Sequence, residues 1–402
     1  MADIALGVLC LLAAASLAFT IVSAPGMGKD ILYYRTIGGS WASGIYLPDT
    51  RVFYGPAPWT AVALSPVSLL SPPRAVIAML VLNLAASAFI LWAALDIWGW
   101  HWSIRARVLL CAMFLVWAPF RIVVRNGQLS LVVTALLLAF ILARKSRRWF
   151  AAGALLGLSL IKYPLSFLFL AYTLWKREWK TAAVALSIPA ALTLLYAVRL
   201  DLSPVTIGRD YISDITRNLV VKDTAFTGTT EIKPIVDHFL GGHPGLAIGA
   251  TIVLWVGALV AFAIALARSR RWEDAHFAAL SLFTLWIVFH RPYDSVLLII
   301  PAAVLIDLLR QPSTKRLAQY GLVLLGLFAL SIPGLLADRL KLDQETLSRN
   351  PLGFIGLHLE RLIVLGLFSA LLVLMIRLPS PSKTVDQQPH TSDDTPLSNK
   401  PA

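Results

Sequence analysis

Long uninterrupted apolar segments recur along the whole chain and constrain its fold more than any other feature. The clearest cover 3–23, 75–97, 108–124, 181–198, 246–267, 317–336 and 360–377, and shorter ones cover 129–143, 149–161, 165–175, 275–289 and 294–309. A helix of about 20 apolar residues spans the hydrocarbon core of a bilayer. Only 14% of the residues are charged, where soluble domains have about a quarter. The sequence therefore predicts an all-α, polytopic integral membrane protein.

Basic residues lie in short clusters between the apolar segments, and the net charge is +13. The clusters are Arg105/Arg107, Arg144–Arg148, Lys176–Lys180, Arg268–Arg271 and Lys315/Arg316. Short basic loops of this kind are typical of the cytoplasmic side of membrane proteins. We therefore place these loops in the cytoplasm and expect no nucleic-acid partner.

Two apolar stretches carry a basic cluster at each end, so both clusters are cytoplasmic only if the chain turns back between them. Within 149–175 the turn is expected at Lys162–Pro164, because proline disfavours helix at the residue before it. The same reasoning divides 275–309 at His290–Asp294. About twelve membrane helices result, with both chain ends in the cytoplasm. Two of the short helices remain candidates for re-entrant segments.

The predicted topology has one transmembrane domain, 1–378, with outer loops 24–74, 199–245 and 337–359. The first loop contains two apolar stretches at helical spacing, Asp30–Trp41 and Trp59–Leu70, and we expect both to be interfacial helices. The loop 199–245 suits either an ordered lid or acceptor groove, or a solvated loop. The Pro/Ser/Thr/Asp-rich stretch 379–402 is predicted to be a disordered cytoplasmic tail.

Polar residues that fall at the ends of apolar segments collect on the predicted outer side. They are Asp30, Arg121, Arg125, Gln128, Lys162, His290, Arg291 and Asp294. Charged groups at membrane depth are costly and usually functional or paired, so chemistry is expected on the extracytoplasmic side. The sequence has no phosphate-binding Gly-rich loop, no H-E-x-x-H and no C-x-x-C. An activated donor would therefore be lipid-linked.

A series of short motifs resembles a known family over residues 1 to about 310. The motifs are Asp30-x-x-x-Tyr34, Gly44-Ile45-Tyr46, Phe53–Pro58 leading into Leu64-Ser65-Pro66, Asn126-Gly127-Gln128, Gly153-x-x-x-Gly157, Lys162-x-Pro164 and Lys176–Lys180. Their order resembles glycosyltransferase family 87, a polyprenyl-phosphate-sugar-dependent group of GT-C-type membrane glycosyltransferases that includes mycobacterial mannosyltransferases. The chain departs from the family pattern at Gly55 and Ala57, and at Ser130, where an Asn is usual.

The resemblance implies an inverting transfer of a sugar, mannose or another hexose or pentose, to an extracytoplasmic glycan or glycolipid. A carboxylate in the first outer loop is the general base of GT-C enzymes, and Asp30 stands at that place. Removal of the acceptor hydroxyl's proton is what makes that hydroxyl a competent nucleophile. The alternative interpretation is that Asp30 only caps the helix that follows it.

The departing polyprenyl phosphate needs cations to stabilise its negative charge. Lys162, Arg291 and Arg125 are the candidates, and snorkelling to lipid headgroups is their alternative role. Tyr34, Gln128, His290 and Asp294 are candidates for binding the sugar or the acceptor. Asp294 also suits a helix N-cap, and Tyr34 an interfacial aromatic belt. We expect no cofactor and no protein-bound metal, although some GT-C enzymes use a divalent ion.

Two further classes compete with the glycosyltransferase. A secondary transporter or lipid flippase would have ionisable residues near the bilayer midplane and paired repeats, whereas here the polar residues lie toward one interface. A non-catalytic subunit of an envelope complex would tolerate single substitutions of Asp30 and Lys162. The predicted location is the bacterial inner membrane, with the active site facing outward, and the sequence leaves the oligomeric state open.

Overall fold

A computed structural model describes residues 2–23, 28–45, 57–221, 232–240, 243–269, 272–287, 292–330 and 351–377. The predicted tail 379–402 and most of the predicted outer loop 337–359 lie outside these residues. Within the described part of the chain the structure is helical, without a β-strand, which confirms the predicted all-α class.

The helices follow one another with short connections. In chain order they are α1 (Ala2–Ser23), α2 (Lys29–Ala42), α3 (Pro58–Ser68), α4 (Pro72–Ile97), α5 (Ile104–Val116), α6 (Ala118–Asn126), α7 (Ser130–Lys145), α8 (Trp149–Ser159), α9 (Tyr163–Trp175), α10 (Trp179–Leu200), α11 (Pro204–Val221), α12 (Lys233–Leu240), α13 (Pro244–Arg268), α14 (Glu273–Ile287), α15 (Ile299–Leu308), α16 (Lys315–Leu330) and α17 (Pro351–Arg377). Two 3-10 segments, Leu160–Lys162 and Pro292–Leu298, precede α9 and α15.

Six helical segments in the described residues are long and apolar enough to cross a membrane, and the bent pair α5–α6 makes a possible seventh. The six are Leu6–Ser23, Pro72–Ile97, Trp149–Trp175, Trp179–Leu200, Gly245–Arg268 and His358–Ile376. The predicted number of about twelve is thus only approximate. Large apolar side chains on these helices, such as Val22 and Val253, are exposed, as expected for a surface that faces lipid. The protein is a multi-pass membrane protein.

The stretch Trp149–Trp175 has the length of one crossing, but its contacts show that the chain turns back within it. Arg148 follows the last turn of α7, and Glu178, beyond α9, pairs with Arg144 in that same turn. Both ends of the stretch therefore lie beside Arg144. The midpoint, Lys162, instead contacts Ser130 at the start of α7. The sixteen residues of α7 separate the two levels by about 24 Å.

These contacts define two ends of the bundle, which we name by their central cations. The Lys162 end contains Gln128, Ser130, Lys162 and Asp294. The Arg144 end contains Arg144, Lys145, Glu178, Glu273 and Asp274. The segment 273–308 repeats the reversal. Glu273 contacts Arg144 and Asp294 contacts Lys162, whereas Asp307 accepts a 3.2 Å hydrogen bond from Trp102, close to Trp98, whose ring lies against Lys145. The predicted turns near residues 162–164 and 290–294 are both consistent with these contacts.

The predicted apolar segment 108–124 forms a bent pair of helices, α5 and α6. The axes of α5 and α6 differ by 50° across Trp117. The cause is Pro119, which has no N–H to donate to the carbonyl oxygen of Leu115, four residues earlier. Ser16 of α1 satisfies that oxygen with a side-chain hydrogen bond of 2.9 Å.

The two helices expected in the first outer loop are present as α2 and α3, and they pack closely on each other. Gly38 makes this possible, because a Cβ there would lie 2.8 Å from the backbone oxygen of Leu64. In the loop 199–245, α11 and α12 form two further helices. Helices α2, α3 and α11 surround the Lys162 end and determine what can reach it.

Candidate functional site

The centre of the Lys162 end is a buried ion pair. The ammonium of Lys162 contacts Asp294 Oδ1, and their side chains are 15% and 6% exposed. Ser130 Oγ donates to the same carboxylate oxygen at 2.6 Å and accepts from Lys162 at 2.7 Å. The ammonium also donates to Gln128 Oε1 at 3.3 Å. All three ammonium hydrogens therefore have an acceptor.

Gln128 connects this ion pair to two tyrosines. Its Oε1 accepts a 2.7 Å hydrogen bond from the Tyr34 hydroxyl, and its Nε2 donates to the Tyr293 hydroxyl at 3.1 Å. Lys162 Nζ lies over the face of the Tyr293 ring, 4.7 Å from the ring centroid, which is a cation–π distance. Burial raises the pKa of the Tyr34 phenol well above its ordinary value, and the charges of Tyr293, Asp30 and Asp294 raise it further. The phenol therefore stays protonated and donates to Gln128.

A proline places Lys162 at this position. Pro164 has no N–H for the carbonyl oxygen of Leu160, so the helix is interrupted and the backbone tightens into a 3-10 turn. Unsatisfied carbonyl groups are costly at membrane depth. Helix α3 supplies the missing donors, since Trp59 Nε1 bonds to the Leu160 oxygen at 2.7 Å and Thr60 Oγ1 bonds to the Ile161 oxygen at 2.7 Å.

The turn Asn126-Gly127-Gln128 places the amide of Gln128. Gly127 ends α6 in the left-handed conformation, with φ of 69°, which glycine adopts without steric cost. A Cβ at Gly127 would also lie 2.9 Å from Ile31 Cβ on α2. Helix α7 then begins at Ser130, and the partial positive charge of a helix N-terminus favours a carboxylate such as Asp294 there.

Asp30 lies on α2, one helical turn before Tyr34 and on the same face. Its Oδ2 atom is buried and accepts no hydrogen bond from any residue that the structure describes. A buried carboxylate oxygen without a donor is energetically costly. Asp30 Oδ2 thus has unused acceptor capacity, one helical turn from Tyr34 and the network that includes Lys162.

An apolar groove of about 610 Å³ runs along the membrane-facing side of the same end. Its walls come from α3, α9, α10 and α11, and include Trp59, Leu160, Tyr163, Pro189 and Tyr211. The rings of Trp59, Tyr163 and Tyr211 pack edge to face on one another. Two residues of its wall, Leu160 and Tyr163, lie within two positions of Lys162 in the chain.

The structure brings together four of the predicted site residues, Tyr34, Gln128, Lys162 and Asp294. The ammonium of Lys162 is paired with Asp294. Arg125 lies in the last turn of α6, half-buried, and its carbonyl oxygen accepts from the Gly28 N–H at 3.0 Å. His290 and Arg291 lie outside the described residues.

Sequence reasoning missed two members of the network, Ser130 and Tyr293. Ser130 was noted only as a departure from the family pattern, and Tyr293 was overlooked although it stands between Arg291 and Asp294. Its position in the predicted turn 290–294 was the available signal. Within the described residues, no three His, Cys, Asp or Glu side chains gather in a way that would hold a metal ion.

Comparison with protein families identifies the family of the chain. The model of glycosyltransferase family 87 matches residues 54–301, which is more than half of the chain. The chain belongs to glycosyltransferase family 87, so the resemblance carried by the short motifs is confirmed. The protein is a membrane glycosyltransferase.

A search of solved structures finds ArnT from Cupriavidus metallidurans in the apo state, with a TM-score of 0.41 and 17% sequence identity. That match covers 92% of this chain and 78% of ArnT. No curated protein sequence matches the chain.

Proposed function

We propose that this enzyme transfers a sugar from a polyprenyl-phosphate donor to a glycan or glycolipid acceptor on the extracytoplasmic side of the bacterial inner membrane. The observation that carries the proposal is a buried cation, Lys162, within two residues of Leu160 and Tyr163 in the wall of an apolar groove. A polyprenyl-phosphate sugar has the matching chemistry, an anionic phosphate on a long apolar chain. The groove would take the first isoprenoid units, with the phosphate at Lys162.

The reaction then follows from the two charged groups. Asp30 accepts the proton of an acceptor hydroxyl, and that oxygen attacks the anomeric carbon from the side opposite the phosphate. The bond between the anomeric carbon and the phosphate oxygen breaks, and its electron pair leaves with the polyprenyl phosphate. Lys162 stabilises the charge that develops there. Because attack and departure occur on opposite faces, the configuration at the sugar inverts.

The other polar groups then have binding roles. Gln128, Tyr34 and Asp294 would hold hydroxyl groups of the sugar or acceptor, and the network fixes their positions beforehand. Arg125, at the end of α6, is proposed as a second cation for the phosphate, since a guanidinium can donate two parallel hydrogen bonds to it. His290 and Arg291 keep the roles expected from the sequence, in sugar and phosphate binding respectively. Mannose remains the sugar expected by family resemblance.

The test is sugar transfer by purified protein in nanodiscs. The donor is radiolabelled polyprenyl-phosphate-mannose, and the acceptor is a crude lipid extract of a bacterial envelope. We expect transfer by the wild-type protein and a loss of about 100-fold or more in Asp30→Asn, the usual contribution of a general base. Asp96→Asn is the matched control, because Asp96 is an exposed carboxylate near the end of α4 and should leave transfer unchanged.

Each outcome bears on a different part of the proposal. Undiminished transfer by Asp30→Asn would rule out Asp30 as the base. Folded wild-type protein that transfers no mannose would exclude this donor, and polyprenyl-phosphate pentoses would be measured next with the same variants. Failure with every polyprenyl-phosphate sugar would overturn the proposed donor class.

A further inference from the structure

One residue, Ser130, forms hydrogen bonds to both members of the Lys162–Asp294 ion pair. Ser130 Oγ has a single proton, which it donates to Asp294 Oδ1. Its lone pairs face Lys162, from which it accepts. Ser130 is completely buried, and no other described hydroxyl group bonds to both members of the pair.

This arrangement has a consequence for any anion that approaches Lys162. All three hydrogens of the Lys162 ammonium already have acceptors. An anion can therefore accept a hydrogen bond from Lys162 only by displacing one of them. The Asp294 carboxylate is the acceptor with the same charge as the anion and therefore competes with it directly. The hydrogen bond from Ser130 stabilises the negative charge on Asp294 Oδ1. The carboxylate therefore loses less free energy when Lys162 moves away from it.

We propose that Ser130 is a positioning residue that sets how firmly Asp294 holds Lys162, and thereby how readily a donor phosphate replaces that carboxylate. The inference rests on the proposed function, in which Lys162 binds the phosphate. When phosphate binds, Lys162 turns toward it, and Asp294 retains the hydrogen bond from Ser130. Without Ser130, Asp294 would lose that donor at the moment when it gives up Lys162.

The test is equilibrium binding of radiolabelled undecaprenyl phosphate, a probe without a sugar, to purified protein in nanodiscs. Ser130→Ala should raise the dissociation constant roughly threefold to tenfold, the effect of one hydrogen bond to a charged group. Ser130→Thr keeps the hydroxyl group and should restore wild-type binding. The matched control is Ser159→Ala, because Ser159 is also completely buried but bonds only to the backbone oxygen of Leu156, at 2.6 Å.

The effect on turnover separates positioning from a general loss of structure. In transfer assays Ser130→Ala should raise the KM for the donor and leave kcat nearly unchanged, because the leaving phosphate still meets Lys162. Equal binding by wild-type protein and Ser130→Ala would overturn the proposal. So would equal weakening in Ser159→Ala, since any lost buried hydroxyl group would then have the same consequence.

A second measurement does not depend on the ligand. Ser130→Ala is placed in the wild-type protein and in the double variant Lys162→Met/Asp294→Asn, and the four melting temperatures are compared. A smaller shift in the double variant supports action through the ion pair, and an equal shift refutes it. If wild-type protein binds no undecaprenyl phosphate, the donor class proposed above is wrong, and this comparison still decides whether Ser130 acts on the pair.

Discussion

The two ends of the bundle both bring opposite charges together, but they differ in the number and the kind of their ion pairs. At the Arg144 end, the guanidinium binds Glu178 through both nitrogen types and also binds Glu273, while Lys145 pairs with Asp274 at 2.8 Å. At the Lys162 end the described residues include one ion pair, Lys162 with Asp294, in a network of neutral hydroxyl and amide groups. A carboxylate oxygen of Asp30 nearby has no donor among the described residues.

This difference indicates that the ion pairs of the Arg144 end hold helices together, whereas Lys162 can exchange its partner. Guanidinium–carboxylate pairs with several parallel hydrogen bonds are rigid, and those around Arg144 join α7, α14 and the turn before α10. A single ammonium is a point charge that can turn toward a new anion. We therefore expect substitutions at the Arg144 end to change stability, and substitutions at the Lys162 end to change chemistry.

The largest expected effect comes from removing Lys162. Lys162→Met should lower transfer roughly 100-fold to 1,000-fold, the usual cost of one group that stabilises transition-state charge. It should also cost roughly 3 kcal/mol of stability, because the buried carboxylate of Asp294 loses its counter-ion. Lys162→Met/Asp294→Asn removes both charges and should regain most of that stability without regaining transfer. Rates and unfolding free energies of the two variants are compared, and transfer by the double variant would contradict a role for Lys162 in the chemistry.

Arg144→Met should lower stability without lowering the turnover of the folded protein. It leaves Glu178 and Glu273 without their guanidinium, but these carboxylates are 27% and 35% exposed and can be partly hydrated. We expect a loss of about 2 kcal/mol in the unfolding free energy, with turnover per folded molecule unchanged. Arg148→Met, an exposed arginine four residues further on, is the control and should be nearly neutral. A large fall in turnover of folded Arg144→Met would remove the contrast between the two ends.

The Arg144 end also predicts a pH dependence of stability. Burial by itself raises the pKa of Glu273, but Arg144, with smaller contributions from Lys176 and Tyr172, outweighs burial and holds the pKa below its ordinary value of 4.5. Stability that depends on a lowered carboxyl pKa is present above the ordinary pKa and is lost as the pH falls through the lowered one. The melting temperature of wild-type protein should therefore exceed that of Glu273→Gln at neutral pH. The gap should close as the pH falls below 4.5, and a gap independent of pH would show that the charge of Glu273 does not matter.

Much of the Lys162 end was predictable from local signals. The basic clusters on both sides of 149–175, together with Pro164, indicated the turn that carries Lys162. Polar groups are rare in such apolar surroundings, and this identified Gln128, Lys162 and Asp294 as candidate site residues. Pro119 is an equally local signal for the bend between α5 and α6, which the prediction from apolar segments alone did not include.

The pairing within the site was not predictable in the same way. Lys162 and Asp294 are 132 positions apart in the chain, and only the packing of α7 against both reversals brings them together. Ser130 is an ordinary residue type for a helix start, so its two bonds to the ion pair have no sequence signature. The groove depends on side chains from four helices, and its walls are indistinguishable in sequence from lipid-facing surface.

The smallest expected effect is at the edge of the network, in Tyr34→Phe. The substitution removes the 2.7 Å hydrogen bond to Gln128 and keeps the ring, whereas Gln128 retains its contacts with Lys162 and Tyr293. A neutral hydrogen bond contributes about 1 kcal/mol, so kcat/KM should fall roughly fivefold, with the exposed Tyr320→Phe as control. A loss as large as that of Asp30→Asn would mean that the phenol takes part in the proton transfer itself. The reactive groups of the Lys162 end would then extend along α2 from Asp30 to Tyr34, and the contrast with the guanidinium–carboxylate pairs of the Arg144 end would be sharper still.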